Sequence, residues 1–311
     1  MRITPLLSVA ILIASIAPSL ALPNPPSSLS ILSNNVFLLG AEPWELKTRA
    51  HLIAKAEYIK YHDVVVLQEC FRNKYCEDLK QGLRSEYSYA TPSIGNFREG
   101  WQSTSGKFSE FSPENGGVVI LSKWPITTMR QFIYMAGCGW DKLSNKGVAY
   151  AELDVHGTKV HVFGTHMQSD DKYCSGGHAA QIRAQALDDF YYFVLAQKIP
   201  EDELVVMVGD FNIDRDSSEY GEVLRRLRVA RPIYFKGADW SYDTTQNGIA
   251  RDRDPKSPSQ NLDHVLVSTK HRMPTSVVQT TLLVHSTPYT HASGTFNDFS
   301  DHYPVHAVIG L

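Results

Sequence analysis

Several β-branched runs in the chain end in a side chain able to do chemistry. Val64-Val65-Val66-Leu67-Gln68 is followed by Glu69, and His161-Val162-Phe163-Gly164-Thr165 by His166. Val206-Met207-Val208-Gly209 runs into Asp210 and Asn212. Asn35 sits within Ser33-Asn34-Asn35-Val36-Phe37, and Asp301-His302 opens the stretch Asp301-His302-Tyr303-Pro304-Val305. Acids and amides are common at strand ends simply because they form turns, so each position alone says little. As a set they say more. Imidazoles, carboxylates and amides delivered to one rim of a sheet can hold a hard cation in oxygen ligands and move a proton beside it. That combination suits metal-assisted attack of water on a phosphorus ester.

Elements must bring these groups together. Runs at Val64 to Leu67, Val118 to Leu121, Val148 to Leu153, Val160 to Phe163, Leu204 to Val208, Val265 to Val267 and Val305 to Ile309 read as strands. Because they hardly alternate with polar residues, some are expected to be buried on both faces. Apolar spacing at Leu46, Ala50, Ile53, Ala56 and Ile59, and again at Ile182, Ala186, Phe190, Phe193 and Leu195, predicts helices that cover the sheets. A layered α/β body follows. No repeat, low-complexity tract or clear linker interrupts it, so residues 22–311 read as a single domain.

The chain has 311 residues, 43% apolar and 20% charged, with 30 basic and 33 acidic side chains and a formal charge of −3. This excludes a disordered or collagen-like chain, allows a core that folds without a metal or disulfide, and argues against a dedicated polyanion-binding surface. Residues 1–21 differ in kind: Arg2 precedes an apolar run from Leu6 to Ala17, and Ser19-Leu20-Ala21 supplies a small-x-small cleavage pattern. The run falls short of the roughly 20 residues a membrane span needs. It reads as a secretory signal peptide, and the mature protein as secreted. The four cysteines, Cys70, Cys76, Cys138 and Cys174, fit an oxidising compartment, lack the Cys-x-x-Cys spacing of a zinc site, and allow three pairings.

The ordered blocks Leu67-Gln68-Glu69, Gly164-Thr165-His166, Gly209-Asp210-Phe211-Asn212 and Ser300-Asp301-His302 resemble the signature of the endonuclease/exonuclease/phosphatase superfamily. Further blocks resemble the secreted bacterial-type neutral sphingomyelinases (sphingomyelinase C) more narrowly: Asn35 to Leu39, Leu143-Ser144-Asn145-Lys146-Gly147, Gly164 to Asp171, and Asn297 to Val305. The resemblance implies a DNase I-like α/β fold, a four-layer sandwich of two packed mixed β-sheets flanked by helices. It implies hydrolysis of sphingomyelin to ceramide and phosphocholine, with Mg²⁺ as cofactor and Mn²⁺ or Co²⁺ as substitutes.

The same resemblance assigns roles. Glu69 is similar to the principal metal ligand, with Asn35 close to the ion and the phosphate and Asp301 in direct or outer contact with the metal. His302 is similar to the general base, oriented by Asp263. Asp210 aligns the water, and Asn212 and His166 stabilise the phosphorane-like charge or help the leaving oxygen. An edge metal maps onto Asn73, Glu114 and Asn115, and is expected to be weaker or absent because Asn115 stands where an acid is expected. Phe71 and Trp240 match aromatics suited to a choline headgroup, whose cation is drawn to a ring face. The resemblance pairs Cys138 with Cys174, which leaves Cys70 with Cys76 beside Glu69. His264, next to Asp263, reads as a packed histidine, as do His51, His62 and His161.

A membrane sphingolipid as partner implies contact with a bilayer. The family's membrane-dipping hairpin corresponds to Val284 to Phe296, which holds Tyr289 but no paired aromatics at its tip. Contact is therefore expected to be peripheral, weaker than in haemolytic relatives, and carried by Tyr289; nucleic acid is not expected as a partner, and a monomer is. A DNase I-like nuclease and a non-catalytic binding or toxin module on the same fold are the alternatives. Net charge does not separate the two enzymes, whereas the full set Glu69, His166, Asp210, Asn212 and His302 speaks against the module.

Overall fold

Side chains alternate across a strand, so a run such as Val64 to Leu67 needs apolar cover on both faces. It finds that cover in a computed structural model that describes residues 26–40, 44–71, 74–174 and 176–311. The segment read as a signal peptide and Asn73 lie outside the described residues. The elements begin with β1 (Ser28–Asn35), α1 (Leu46–Lys55), β2 (Val64–Gln68), α2 (Lys74–Gly82), β3 (Tyr89–Ala90), β4 (Ser103–Gly106), β5 (Val119–Ser122) and β6 (Ile126–Ile133). They continue with β7 (Gly147–Val155), β8 (Thr158–His166), α3 (His178–Ala196), β9 (Leu204–Asp210), α4 (Ser218–Leu227), β10 (Val229–Ala230) and β11 (Tyr234–Gly237). Last come α5 (Gly248–Arg253), β12 (Asp263–Ser268), β13 (Ser276–Thr281), β14 (Tyr289–His291), β15 (Gly294–Phe296) and β16 (Val305–Gly310).

Among the described residues, one seven-stranded sheet runs β11-β13-β16-β1-β2-β5-β3 and the other β10-β12-β9-β8-β7-β6-β4, with β14 and β15 forming a separate hairpin. Val64 and Val66 face Val160, Val162, Val206 and Val208 between the sheets. The intervening Val65 and Leu67 pack with Ala50, Ile53 and Leu79 beneath α1 and α2. On the opposite side, Phe163, Val205 and Met207 pack with Ala186, Phe190 and Val223 beneath α3 and α4. The order of layers is therefore helix, sheet, sheet, helix, the four-layer sandwich anticipated. Each fully buried Val, Leu or Phe contributes roughly 1.5–3 kcal/mol. Gly164 lets the sheets close up, since a Cβ there would lie 2.8 Å from Val66 Cγ1.

Topology sets where the chemistry goes. β1 is parallel to β2 and β8 to β9, whereas β16 and β12 run antiparallel to β1 and β9. The ends of β1, β2, β8 and β9 and the starts of β12 and β16 therefore share a rim.

Two helix expectations need correction. α1 stops at Lys55, because Ala56 turns extended at ψ 144°, and Ile59 is buried from a 3₁₀ turn (Glu57–Ile59) instead. In α3, Leu195 points to solvent at 49% exposure; Val194, four positions after Phe190, completes the buried stripe. Both disulfides form as the resemblance implied, Cys70–Cys76 and Cys138–Cys174. No helix among the described residues is long and apolar enough to cross a membrane.

Candidate active site

Strand ends deliver the side chains, and the backbone bends to aim them. Asn35 and Gln68 are register partners at the ends of β1 and β2, and Glu69 follows at once. Glu69 holds φ 53° and Asn212 φ 50°, left-handed values that cost little for asparagine and on the order of 1 kcal/mol or more for glutamate. Neighbours hold the turn at Glu69: its carbonyl accepts from Leu38 N at 3.0 Å, and Cys70 N donates to Gly117 O at 2.9 Å. Gly117 has φ 69°, and a Cβ there would press on Glu69 Cα at 3.2 Å. In the second sheet, Asp210 stands in register between His166 on β8 and Asp263 on β12.

The groups converge. Asn35 Nδ2 donates to Glu69 Oε1 and to Asp210 Oδ2, each at 3.0 Å, while its Oδ1 accepts from Phe37 N. His166 Nε2 lies 3.9 Å from Glu69 Oε1 and 3.7 Å from Asp210 Oδ2. His302 places Nδ1 2.8 Å from Asp263 Oδ2 and Nε2 3.8 Å from Asp210 Oδ2. Asn212 donates from its backbone to Asp210 Oδ1 at 2.8 Å and from Nδ2 to Met167 O at 3.1 Å. Ser241 joins the two halves: its Oγ accepts from Leu262 N and Asp263 N, and its carbonyl from Tyr303 N at 2.7 Å.

The electrostatics suit a bound cation. Burial, then the charge of Asp263, pushes the Asp210 carboxyl up to about 7, against the pull of His302. Burial and Asp301 likewise raise Glu69, against Arg253. His302 goes the other way: burial disfavours its cation, yet Asp263, Asp210 and Asp301 outweigh it and carry the ring to about 10. Burial, with the nearby Lys146 and His302 cations, keeps His166 well below its ordinary value and so neutral. Because the Lys146 ammonium lies 3.2 Å from His166 Nε2, that nitrogen accepts and Nδ1 carries the hydrogen. Nδ1 is buried without a partner, as is Asp263 Oδ1. Ligand atoms of Glu69, His166 and Asp210 lie within 4.8 Å of one another, as do those of Asp210, Asp263 and His302. Two partly compensated carboxylates, Asp210 buried and Glu69 half-buried, are oxygen donors of the kind Mg²⁺ prefers, and the Asn35 amide spans them through Nδ2 while its Oδ1 is taken by Phe37 N. The residues therefore fit a divalent cation.

Other expected residues are placed as follows. Asp301 is buried at the same mouth, but its carboxylate is ion-paired with Arg253 and accepts from Ser300 Oγ at 3.2 Å. Phe71 is buried with its ring 6.3 Å from that of His166, and Trp240 is half-buried just before Ser241. Asn115 is occupied by a turn, its Oδ1 accepting from Gly117 N at 2.8 Å, and among the described residues Glu114 is in no cluster of three His, Cys, Asp or Glu ligands. His264 packs against Tyr220 and contacts Ile213 O at 2.8 Å, and His62 and His161 are also buried, whereas His51 is exposed on α1. Tyr289 does not face a membrane. It is 8% exposed, its hydroxyl donates to Asp298 O at 2.7 Å, and the hairpin folds onto Trp44 through Phe296 at 5.0 Å.

Sequence reasoning assigned no role to Lys146, Tyr242, Ser241 or Arg253. Tyr242 is bridged to the His302 backbone and sets its ring 5.2 Å from the imidazole. Lys146 precedes β7 directly, so the strand-end criterion applied to the others would have found it. Ser241, Tyr242 and Arg253 carry no comparable local pattern.

Comparison with known proteins agrees with this geometry. The model of the Endonuclease/Exonuclease/phosphatase family matches residues 39–302. A phospholipase C of Staphylococcus aureus is 35% identical over 291 residues, covering 90% of this chain and 87% of that one. A sphingomyelinase C of Listeria ivanovii is 36% identical over 287 residues, covering 90% and 86%. Among solved structures, sphingomyelinase C from Streptomyces griseocarneus superposes with a TM-score of 0.88 at 42% identity, covering 90% of this chain and 99% of the other. A mutant beta toxin from Staphylococcus aureus, with bound magnesium ions, gives 0.87 at 36% identity over 90% and 99%. With a family match across most of its length and the strand-end residues gathered at one mouth, the chain belongs to the Endonuclease/Exonuclease/phosphatase family.

Proposed function

We propose that this protein is a metal-dependent phosphodiesterase that hydrolyses sphingomyelin to ceramide and phosphocholine. The observation that carries the reading is the placement of His302: Nδ1 is held by Asp263 and Nε2 faces Asp210 beside the Glu69 carboxylate. The relatives named sphingomyelinase C supply the substrate class.

Glu69 and Asp210, with Asn35 between them, would hold Mg²⁺, with Mn²⁺ or Co²⁺ as substitutes. When bound, the ion supplies charge that offsets the anion building on phosphorus and helps orient the phosphate. A cation held by Glu69 and Asp210 would offset the carboxylates that raise His302 and so favour its neutral ring. In that form His302 takes a proton from water at Nε2 as the water oxygen bonds to phosphorus. The bond from phosphorus to the ceramide oxygen breaks, and that oxygen takes up a proton. Asp263 fixes the ring through Nδ1 and stabilises its cation. Asp210 aligns the water and the Asn212 amide donates toward the developing charge, while neutral His166 keeps Nε2 at the mouth as an acceptor held by Lys146. Asp301, tied to Arg253, raises the negative potential at the mouth without being free to turn. Phe71 and Trp240 offer ring faces for the quaternary ammonium, worth about 0.5–2 kcal/mol.

Export is part of the reading, supported by Arg2, the apolar run Leu6 to Ala17, Ala21 and the two disulfides. Residues 22–311 act as one catalytic unit and as a monomer. The test is hydrolysis by purified protein of sphingomyelin, phosphatidylcholine, lysolipid and plasmid DNA, with EDTA or Mg²⁺. Phosphocholine release from sphingomyelin, lost in EDTA and restored by Mg²⁺, is expected; plasmid nicking without it would replace the reading with a nuclease.

A further inference from the structure

Exposed large apolar side chains cluster at the rim that carries His166. Met135 and Leu143 lie in the connection between the end of β6 and the start of β7, Trp140 sits between them, and Tyr173 follows β8. Phe111 joins them, since neighbouring Ser112 Oγ donates to Leu143 O at 2.9 Å. Phe111 is 94% exposed and Trp140 65%, values unusual for rings of that size. A cleft of about 500 Å³ runs between Phe111, Met135 and Leu143 and reaches Lys146 and Gln168.

The patch is built rather than loose. Cys138–Cys174 ties its two connections together. Trp140 N donates to Asp171 Oδ2 at 2.7 Å, Cys138 N to Gln168 Oε1 at 2.9 Å, and the Trp140 and Tyr173 rings meet edge to face at 5.8 Å. Asp141 is ion-paired at 2.8 Å with Lys146, whose Nζ touches His166. The platform is thus continuous with the reacting mouth.

We propose that this platform is the surface by which the protein rests on a lipid bilayer, a proposal that builds on the phosphodiesterase reading above. Its chemistry fits headgroups: amphipathic rings settle at the interface, and the exposed Lys107, Lys142 and Lys172 can bury their stems and hold their ammonium groups among lipid phosphates. The β14–β15 hairpin offers no alternative, since Tyr289 is buried and the exposed tip consists of Ala292 and Ser293.

The test pairs Trp140→Asp with Leu143→Asp in one variant. Sedimentation with vesicles of sphingomyelin, phosphatidylcholine and cholesterol is measured in EDTA, and hydrolysis of soluble p-nitrophenyl phosphocholine in Mg²⁺. Vesicle-bound protein is expected to fall tenfold or more while soluble hydrolysis stays within twofold, and Thr290→Asp in the hairpin is expected to leave binding unchanged. The proposal is overturned if the double variant sediments like the parent, if Thr290→Asp removes binding instead, or if the patch proves to mediate self-association in ultracentrifugation. Vesicle binding that depends on the platform, without phosphocholine release from any substrate, would sustain this proposal and remove the functional reading.

Discussion

His302 Nδ1 lies 2.8 Å from Asp263 Oδ2, and the two residues reach each other from opposite sheets, one preceding β16 and the other opening β12. Burial opposes the His302 cation, and Asp263 is the foremost of the groups that raise the ring to about 10. Asp263→Asn removes that charge and leaves the ring poorly oriented. It should lower kcat/KM by about 10²–10⁴-fold and carry the remaining activity to lower pH. Paired pH–rate profiles check it; an unshifted profile at parental rate would show that the contact is only architectural.

The raised Asp210 carboxyl makes metal binding and stability pH-dependent, with a definite sign. Its folded value of about 7 exceeds the ordinary 3.8, so the folded protein binds the extra proton between these limits. Bare protein therefore loses stability as pH rises through that window, and a divalent cation, which needs the ionised form, restores it. Mg²⁺ at a hundred times its Kd adds about 2.7 kcal/mol, on the order of several degrees in Tm. Calorimetry with Mg²⁺ and with EDTA should show a gap that widens from pH 5 to pH 8.

Arg49 is a fully buried clamp. Its guanidinium donates to the carbonyls of Trp44 at 2.6 Å, Val36 at 2.9 Å and Phe299 at 3.0 Å, and also to that of Phe37. It thereby fixes the chain leaving Asn35 to the loop that leads into Asp301 and His302. Arg49→Met would strand these acceptors, and urea denaturation should show a loss of at least about 3 kcal/mol.

Lys146 holds His166 in its neutral form, although burial is the larger influence. In Lys146→Met the His166 pKa should rise while remaining below its ordinary value, readable by NMR titration of the ring. Activity should fall about tenfold or more, because Nε2 is then free to carry the hydrogen and the tautomer is no longer fixed.

Much of this arrangement was legible before any coordinates. Short valine-rich runs with little polar alternation read as strands, some covered on both faces, and with amphipathic helices between them they imply a layered α/β body. Glu69, His166, Asp210 and His302 stood out because each abuts such a run. What escaped were groups whose roles depend on distant partners: Ser241 acts through the backbones of Asp263 and Tyr303, and Arg253 through Asp301. Tyr289 misled for a related reason. An aromatic ring in a short hairpin resembles a membrane anchor in sequence, but the hydroxyl found Asp298 O and the ring turned inward.

Asn35 belongs to one sheet and Asp210 to the other, joined by a single 3.0 Å hydrogen bond. The seam between the halves thus passes through the chemistry, so any slippage of one half along its partner spoils the mouth while every strand is still intact. Turnover is for this reason a finer gauge of mechanical integrity than ellipticity. In a urea series, loss of hydrolysis should come at a lower denaturant concentration than loss of the circular dichroism signal.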